Sequence, residues 1–226
     1  MRKAIILLAV LLVIPFSGIT EAELRIVRLT FAGDTTLGGH EGWMNHASGT
    51  FKVMARQQPP EYFLRHAKPI FERDDFTLLN LEGVLADSPR GLNKAAKWNF
   101  RGETAYTGIL TAGSVEGVTL GNNHTGDFGQ PGLVSTKAAL DAAGIGWCLD
   151  RDALIFEKDG VRIAFLGFWS ASFDKHREWL QAEIPRLKAD GGCDAVVVSY
   201  HGGRQYWPFH RDSQAEDMRY AVDCGA

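Results

Sequence analysis

The chain has 226 residues, 45% hydrophobic and 23% charged, with a formal net charge of −3. That composition excludes a disordered segment, a collagen and a coiled coil, and an acidic balance lacks the positive footprint of a nucleic-acid binder. The length suits one domain whose core needs no disulfide to fold, and the 25 glycines point to tight turns or close backbone approach to a ligand.

The chain opens with Arg2-Lys3, an apolar run from Ala4 to Phe16, and then Thr20-Glu21-Ala22. Charged, apolar and small in that order is the layout of a secretory signal peptide, here cleaved after Ala22, which predicts a secreted or periplasmic protein over residues 23–226. The run is shorter than the roughly 20 residues of a membrane span and contains Pro15, so a membrane is a partner only if the leader stays attached. Three cysteines, Cys148, Cys193 and Cys224, allow one internal bridge at most. Their spacing fits no zinc site and they read as small apolar fillers.

Leu24–Ala32 reads as a strand, followed by a Gly33-Asp34 turn. Tyr62, Phe63, Ala67 and Ile70 give Pro60–Arg73 helical spacing. Phe76–Leu81 is a short strand, Ser88–Gly102 a long irregular stretch, Thr104–Ala112 a helix and Val115–Leu120 a strand. Gln130–Ala143 is a helix with Pro131 near its start and Gly144 at its stop. Ala153–Phe156 and Val161–Phe168 flank Lys158-Asp159-Gly160, a hairpin signal. Lys175–Ala189 is a helix that Pro185 should kink or divide. Asp194–Tyr200 reads as a buried strand, and a last helix opens at Ser213, with Glu216 completing a capping box, and closes at Gly225. Strands alternating with helices predict an α/β fold with a mixed sheet flanked by helices.

The chemistry-bearing residues sit at strand ends. Four predicted strands run into turns carrying Asp34, Glu82, Asn123 with His124, and His201. In open α/β sheets, ligands bind beyond the carboxyl ends of strands, so four distant segments can deliver donors to one place. Each turn alone is ordinary; their joint position makes the site. Carboxylate, carboxamide and imidazole without thiolate suit Mn, Fe(II), Zn or Mg rather than a soft metal.

Phe31-Ala32-Gly33-Asp34, Asn80-Leu81-Glu82, Gly121-Asn122-Asn123-His124 and Ser199-Tyr200-His201-Gly202 resemble, in order, the motifs of the CapA family of capsule-synthesis proteins. The stretch His124–Gly146 is similar to that family's sequence after its Asn-His. The resemblance implies a calcineurin-like metallophosphoesterase-type fold, association with poly-γ-glutamate, and one or two divalent ions, Mn, Fe or Zn ahead of Mg. It implies Asp34, Glu82, Asn123 and His201 as ligands and His124 facing the substrate as proton donor or transition-state stabiliser. A metal lowers the pKa of bound water towards about 7 and polarises the scissile group, and an imidazole titrating near about 6.5 suits the proton donor. Two departures stand out. Asp34-Thr35-Thr36 lacks the histidine that opens related phosphoesterases, and the family pattern continues past Gly225-Ala226 with further histidines. Four ligands suffice for one ion and are few for two, and the sheet is expected to be incomplete at the C-terminus.

Arg90, Lys94, Lys97 and Arg101 follow the Glu82 turn without an acid among them, a local positive block that could attract a polyanion such as poly-γ-glutamate. Arg204 and Tyr206, with Trp207 and His210, follow His201 closely enough to line the same cleft. The expected function is a secreted metal-dependent hydrolase acting on an anionic polymer, against two alternatives: a non-catalytic polymer-binding protein and a metallophosphoesterase.

Overall fold

The computed structural model describes residues 24–43 and 50–226; the predicted leader lies outside them. β1 (Leu29–Thr35) and β2 (Gly39–His40) come first, then three short helices, α1 (Phe51–Gln57), α2 (Glu61–Leu64) and α3 (Lys68–Phe71). β3 (Phe76–Leu81), β4 (Val84–Leu85), β5 (Phe100–Gly102), α4 (Thr107–Ala112), β6 (Gly117–Thr119), α5 (Gly129–Ala142) and β7 (Gly146–Cys148) follow. The last third contains β8 (Leu154–Lys158), β9 (Val161–Trp169), α6 (Ser170–Phe173), α7 (Arg177–Ala189), β10 (Ala195–His201) and α8 (Asp212–Asp223).

Two main sheets carry the architecture. The first is all parallel, in the order β1-β3-β6-β7. The second runs β10-β9-β8, with β10 parallel and β8 antiparallel to β9. Strand alternation sorts their side chains into three cores. Leu79, Leu81, Val118 and Leu120 face Ile109, Leu110 and Leu140 of the helices α4 and α5. Phe76, Leu78 and Cys148 meet Ile163 and Phe165 of the second sheet. Ala164, Leu166, Phe168 and Val196 face Leu180, Ile184, Leu187 and Ala221 of α7 and α8. The layers are thus helix, sheet, sheet, helix, and each fully buried Leu or Phe contributes about 1.5–3 kcal/mol of transfer free energy. Glycines let the sheets approach. A Cβ on Gly121 would lie 2.5 Å from the Gly167 and Phe168 backbone, and one on Gly167 would lie 2.2 Å from Thr119 Oγ1. The cysteines are free thiols; burial pushes the Cys148 thiol up to about 12, so it is an inert filler at neutral pH.

The mixed α/β architecture is as expected; several local readings are corrected. The first strand begins at Leu29 rather than Leu24. Pro60–Arg73 is broken into α2 and α3, because Pro69 occupies the first turn of a new helix, where its missing N–H is harmless. α7 runs unbroken through Pro185, whose ring sits on its solvent-exposed side. β10 is an edge strand in which only Val196 is fully buried. The last helix starts one residue early, and Gln214 rather than Glu216 caps it, Gln214 Oε1 accepting the Arg211 N–H at 2.8 Å. Among the described residues no helix is long and apolar enough to cross a membrane.

Candidate metal centre

Parallel strands aim their carboxyl ends the same way, so the ends of β1, β3 and β6 of one sheet and of β10 of the other meet at one rim. Glu82 and Asn123 follow β3 and β6 as expected, whereas Asp34 lies within β1 and His201 is the last residue of β10 rather than in turns after them. Face as well as end matters. Phe76 and Leu78 point from β3 towards the second sheet, and alternation puts Asn80 on that side. β1 begins in the same phase, with Phe31 opposite Leu78 and its ring 6.3 Å from that of Phe165. Three residues of strict alternation would turn Asp34 away. Instead the register shifts between Phe31 and Asp34, which then pairs with Asn80. This β-bulge sets two residues, Ala32 and Gly33, against Leu79 alone and so keeps Asp34 on the inner face. In β10, Ala195 and Val197 pack between the sheets, so His201 shares their side.

The result is a tight polar cluster. One donor atom each from Asp34, Glu82 and His201 lie within 4.8 Å of one another. His201 Nδ1 is 3.3 Å from Asp34 Oδ1, and its Nε2 is 3.9 Å from Glu82 Oε1. Asn123 Oδ1 approaches His201 Nε2 to 2.7 Å. Three buried side chains brace these groups. Asn122 Nδ2 donates to Asn80 Oδ1 at 3.0 Å and to the Leu81 carbonyl at 2.8 Å. Asn80 Nδ2 donates to Asp34 Oδ1 at 2.7 Å and lies 3.0 Å from His201 Nδ1. Asn122 Oδ1 accepts the His124 N–H at 2.9 Å. Asp127 fixes the other histidine: its Oδ2 lies 2.8 Å from His124 Nδ1 and accepts the Phe100 N–H at 2.6 Å. The Phe100 ring packs on that imidazole at 4.1 Å, which leaves Nε2 directed inward, 3.8 Å from Glu82 Oε1.

The donor set fits a divalent cation. Burial first, and then the nearby Asp34 charge, push the Glu82 carboxyl above its ordinary range. Among the described residues neither acid has a lysine or arginine within ion-pair distance; imidazoles are their only such partners. Two carboxylates brought together without a permanent cation are a site whose charge an ion would balance.

The five predicted core residues, Asp34, Glu82, Asn123, His124 and His201, all converge here and line one cleft of about 1220 Å³. The predicted basic residues divide. Lys97 and Arg204 line the cleft, whereas Arg90, Lys94 and Tyr206 lie outside its lining. Arg101 is corrected: it is 6% exposed, its guanidinium grips Glu41 at 2.6 and 3.1 Å, and its Nη1 donates to the Ala86 carbonyl at 2.6 Å. It anchors β5 and is unavailable to a ligand. Sequence patterns did not single out Asn80, Asn122 and Asp127 as site residues. The signals were present: a carboxamide inside the apolar run Leu78–Leu81, and an acid three residues after His124.

Over residues 28–226 the sequence matches the model of a family described as bacterial capsule synthesis protein PGA_cap. No curated protein matches the chain. Similar solved structures include Haemophilus influenzae NAD nucleotidase (17% identity, TM-score 0.41, covering 62% of this chain and 28% of that one). Others are a putative 5′-nucleotidase from Staphylococcus aureus in complex with α-ketoglutarate (16%, 0.42, 79% and 38%) and a hypothetical protein from Thermus thermophilus (16%, 0.35, 76% and 67%). The chain thus spans 28% and 38% of the length of the two nucleotidase structures. With the strand-end motifs assembled in one cluster and the family model extending over nearly all described residues, the chain belongs to the bacterial capsule synthesis PGA_cap family.

Proposed function

We propose that the protein is a secreted, metal-dependent hydrolase acting on an anionic capsule polymer, with poly-γ-glutamate the first candidate. The observation that carries this reading is the convergence of Asp34, Glu82 and His201 donor atoms within 4.8 Å, in the lining of an open cleft. Asp34, Glu82 and His201, with Asn123 beside them, would hold the ion. A divalent cation there supplies an activated water and polarisation of the scissile group. The protein's own groups do the rest. Asp127 holds the His124 ring so that Nε2 faces the cleft and delivers a proton to the departing nitrogen or oxygen. Asn80 and Asn122 keep Asp34 and His201 oriented, so little reorganisation is needed as charge develops. Lys97 and Arg204 at the rim favour an anionic chain.

Metal analysis of the purified protein tests the reading. The expected result is Mn, Fe or Zn bound to the wild type and lost from Asp34→Asn, with the fold unchanged by circular dichroism. A wild type that binds none of these ions would overturn it. Loaded protein should then shorten poly-γ-glutamate; turnover of a generic phosphoester in its place would reassign it as a phosphoesterase.

A further inference from the structure

Three of the six tryptophans line the one cleft that holds the metal centre: Trp98, Trp169 and Trp207. They come from three separate segments, the loop before β5, the end of β9 and the loop after β10. They are 41%, 38% and 54% exposed. Among the described residues none of their indole N–H groups donates to protein, whereas Trp147 Nε1 is satisfied by Asp141 at 2.8 Å. Exposed apolar area gathered in one concavity marks a binding surface. Two of the three carry a cation against the ring. Lys97 Nζ lies 5.2 Å from the Trp98 ring centre and the Arg204 guanidinium carbon 5.4 Å from that of Trp207. Among the described residues neither cation has an acidic partner within ion-pair distance.

We propose that the cleft recognises an acidic oligosaccharide, a chain of pyranose rings bearing carboxylates, as the polymer presented to the metal centre. The proposal rests on the metal-dependent hydrolase reading above, keeps its anionic-polymer class, and puts a glycan in place of poly-γ-glutamate as the preferred polymer. A polyglutamate chain has carboxylates and amides but no ring face; cations alone would serve it. A pyranose has an apolar C–H face that stacks on an indole, hydroxyls that accept the indole N–H, and in a uronic acid a carboxylate beside the ring. Each Lys97–Trp98 and Arg204–Trp207 pair offers the matching surface: an aromatic face, a free N–H donor and a cation. Three separated indoles suit several successive rings. The cleft, about 1220 Å³, exceeds the roughly 300–1,000 Å³ typical of a small-molecule pocket, which favours an oligomer over a single nucleobase. Asn93 holds the Lys97 loop against the His124 segment, its N–H donating to the Asp127 carbonyl at 2.8 Å, and Trp98 lines the same cleft as the central residues.

Calorimetric titration of the full chain with oligogalacturonate, with a neutral oligosaccharide of equal length and with poly-γ-glutamate tests this. Oligogalacturonate should bind at least about tenfold more tightly than either competitor. Trp207→Ala should weaken it by about tenfold and Trp207→Phe by less, the loss of one stacked contact. Arg204→Gln should flatten the salt dependence without abolishing binding. Poly-γ-glutamate binding as tightly as the glycan, or Trp207→Ala binding like wild type with its fold intact, would overturn the proposal. Binding needs no turnover, so a metal-loaded protein that binds the glycan and cleaves nothing counts against the hydrolase reading and not against this one.

Discussion

Asn80 and Asn122 do for the site what neither ligand could do alone. Asp34 is more than half exposed at its side chain and would be free to rotate. Its hydrogen bond from Asn80, itself oriented by Asn122, selects one direction. Glu82 shows the cost of assembling acids before a cation arrives. Its carboxyl titrates above its ordinary range because burial and Asp34 disfavour the charge. A raised carboxyl pKa in the folded state means that the folded chain holds its proton more tightly than the unfolded one. The associated stability is fully present below the unfolded value and is lost as pH rises through the folded one. Glu82→Gln should therefore raise the melting temperature of chelator-treated protein at pH 7, and the gain should shrink towards pH 4. An equal gain at both pH values would show that packing rather than charge is responsible. The same substitution should abolish metal retention, which separates the stability and function of a single carboxylate.

At the scale of elements, the bulge in β1 is the feature on which the site turns. Ala32 and Gly33 together fill the register shift between Phe31 and Asp34, and a Cβ on Gly33 would meet no neighbour within 4 Å. Deleting Gly33 alone should convert the bulge into a regular ladder, Phe31 inward, Ala32 outward and Asp34 inward again opposite Asn80, so metal retention should survive. Deleting Ala32 and Gly33 together sets Asp34 directly after Phe31 and turns it to the opposite face. The expected outcome of the double deletion is a folded protein with native circular dichroism that retains no metal; wild-type affinity there would contradict the importance of Asp34's face. α7 offers a contrasting case. Pro185 interrupts its internal hydrogen bonding on a solvent-facing position, at a cost of up to about 3 kcal/mol, partly offset by the stiffer unfolded chain. Pro185→Ala should stabilise the protein by about 1–2 kcal/mol in urea denaturation, with no change in metal content.

β3, α4, α5 and the β8–β9 hairpin were legible in the sequence because periodicity and turn chemistry are local. The hairpin turn places Asp159 and Gly160 at φ 52° and 71°, the left-handed pair that an Asp-Gly turn signals. β4, β5 and β7 were not legible. Each is two or three residues long, too short for alternation to register, and each exists because a neighbour supplies the other half of its ladder.

The whole molecule is two sheets pressed together so that two sets of carboxyl ends share a rim. Contact at Gly121 and Gly167 sets their separation where β6 ends. Gly121→Val should wedge the sheets apart next to Asn122, destabilising the fold by about 1–3 kcal/mol and weakening metal retention. A variant that loses stability but binds metal normally would show that the centre tolerates sheet separation.

The sequence by itself determined the α/β class, the four strand ends that meet and the identity of the five central residues, because a strand's carboxyl end and the residues beside it are written contiguously. That Asp34 and His201 belong to the strands themselves was not legible. Which basic residues reach the cleft was decided only by tertiary structure. Arg101 and Lys97 are four residues apart in the same positive block, yet one is buried against Glu41 and the other lies over Trp98. The buried amides that brace the ligands were also decided there. A side chain's partner across a fold depends on which face and which sheet it meets, and in β1 one extra residue in the ladder changes that face without changing any residue type.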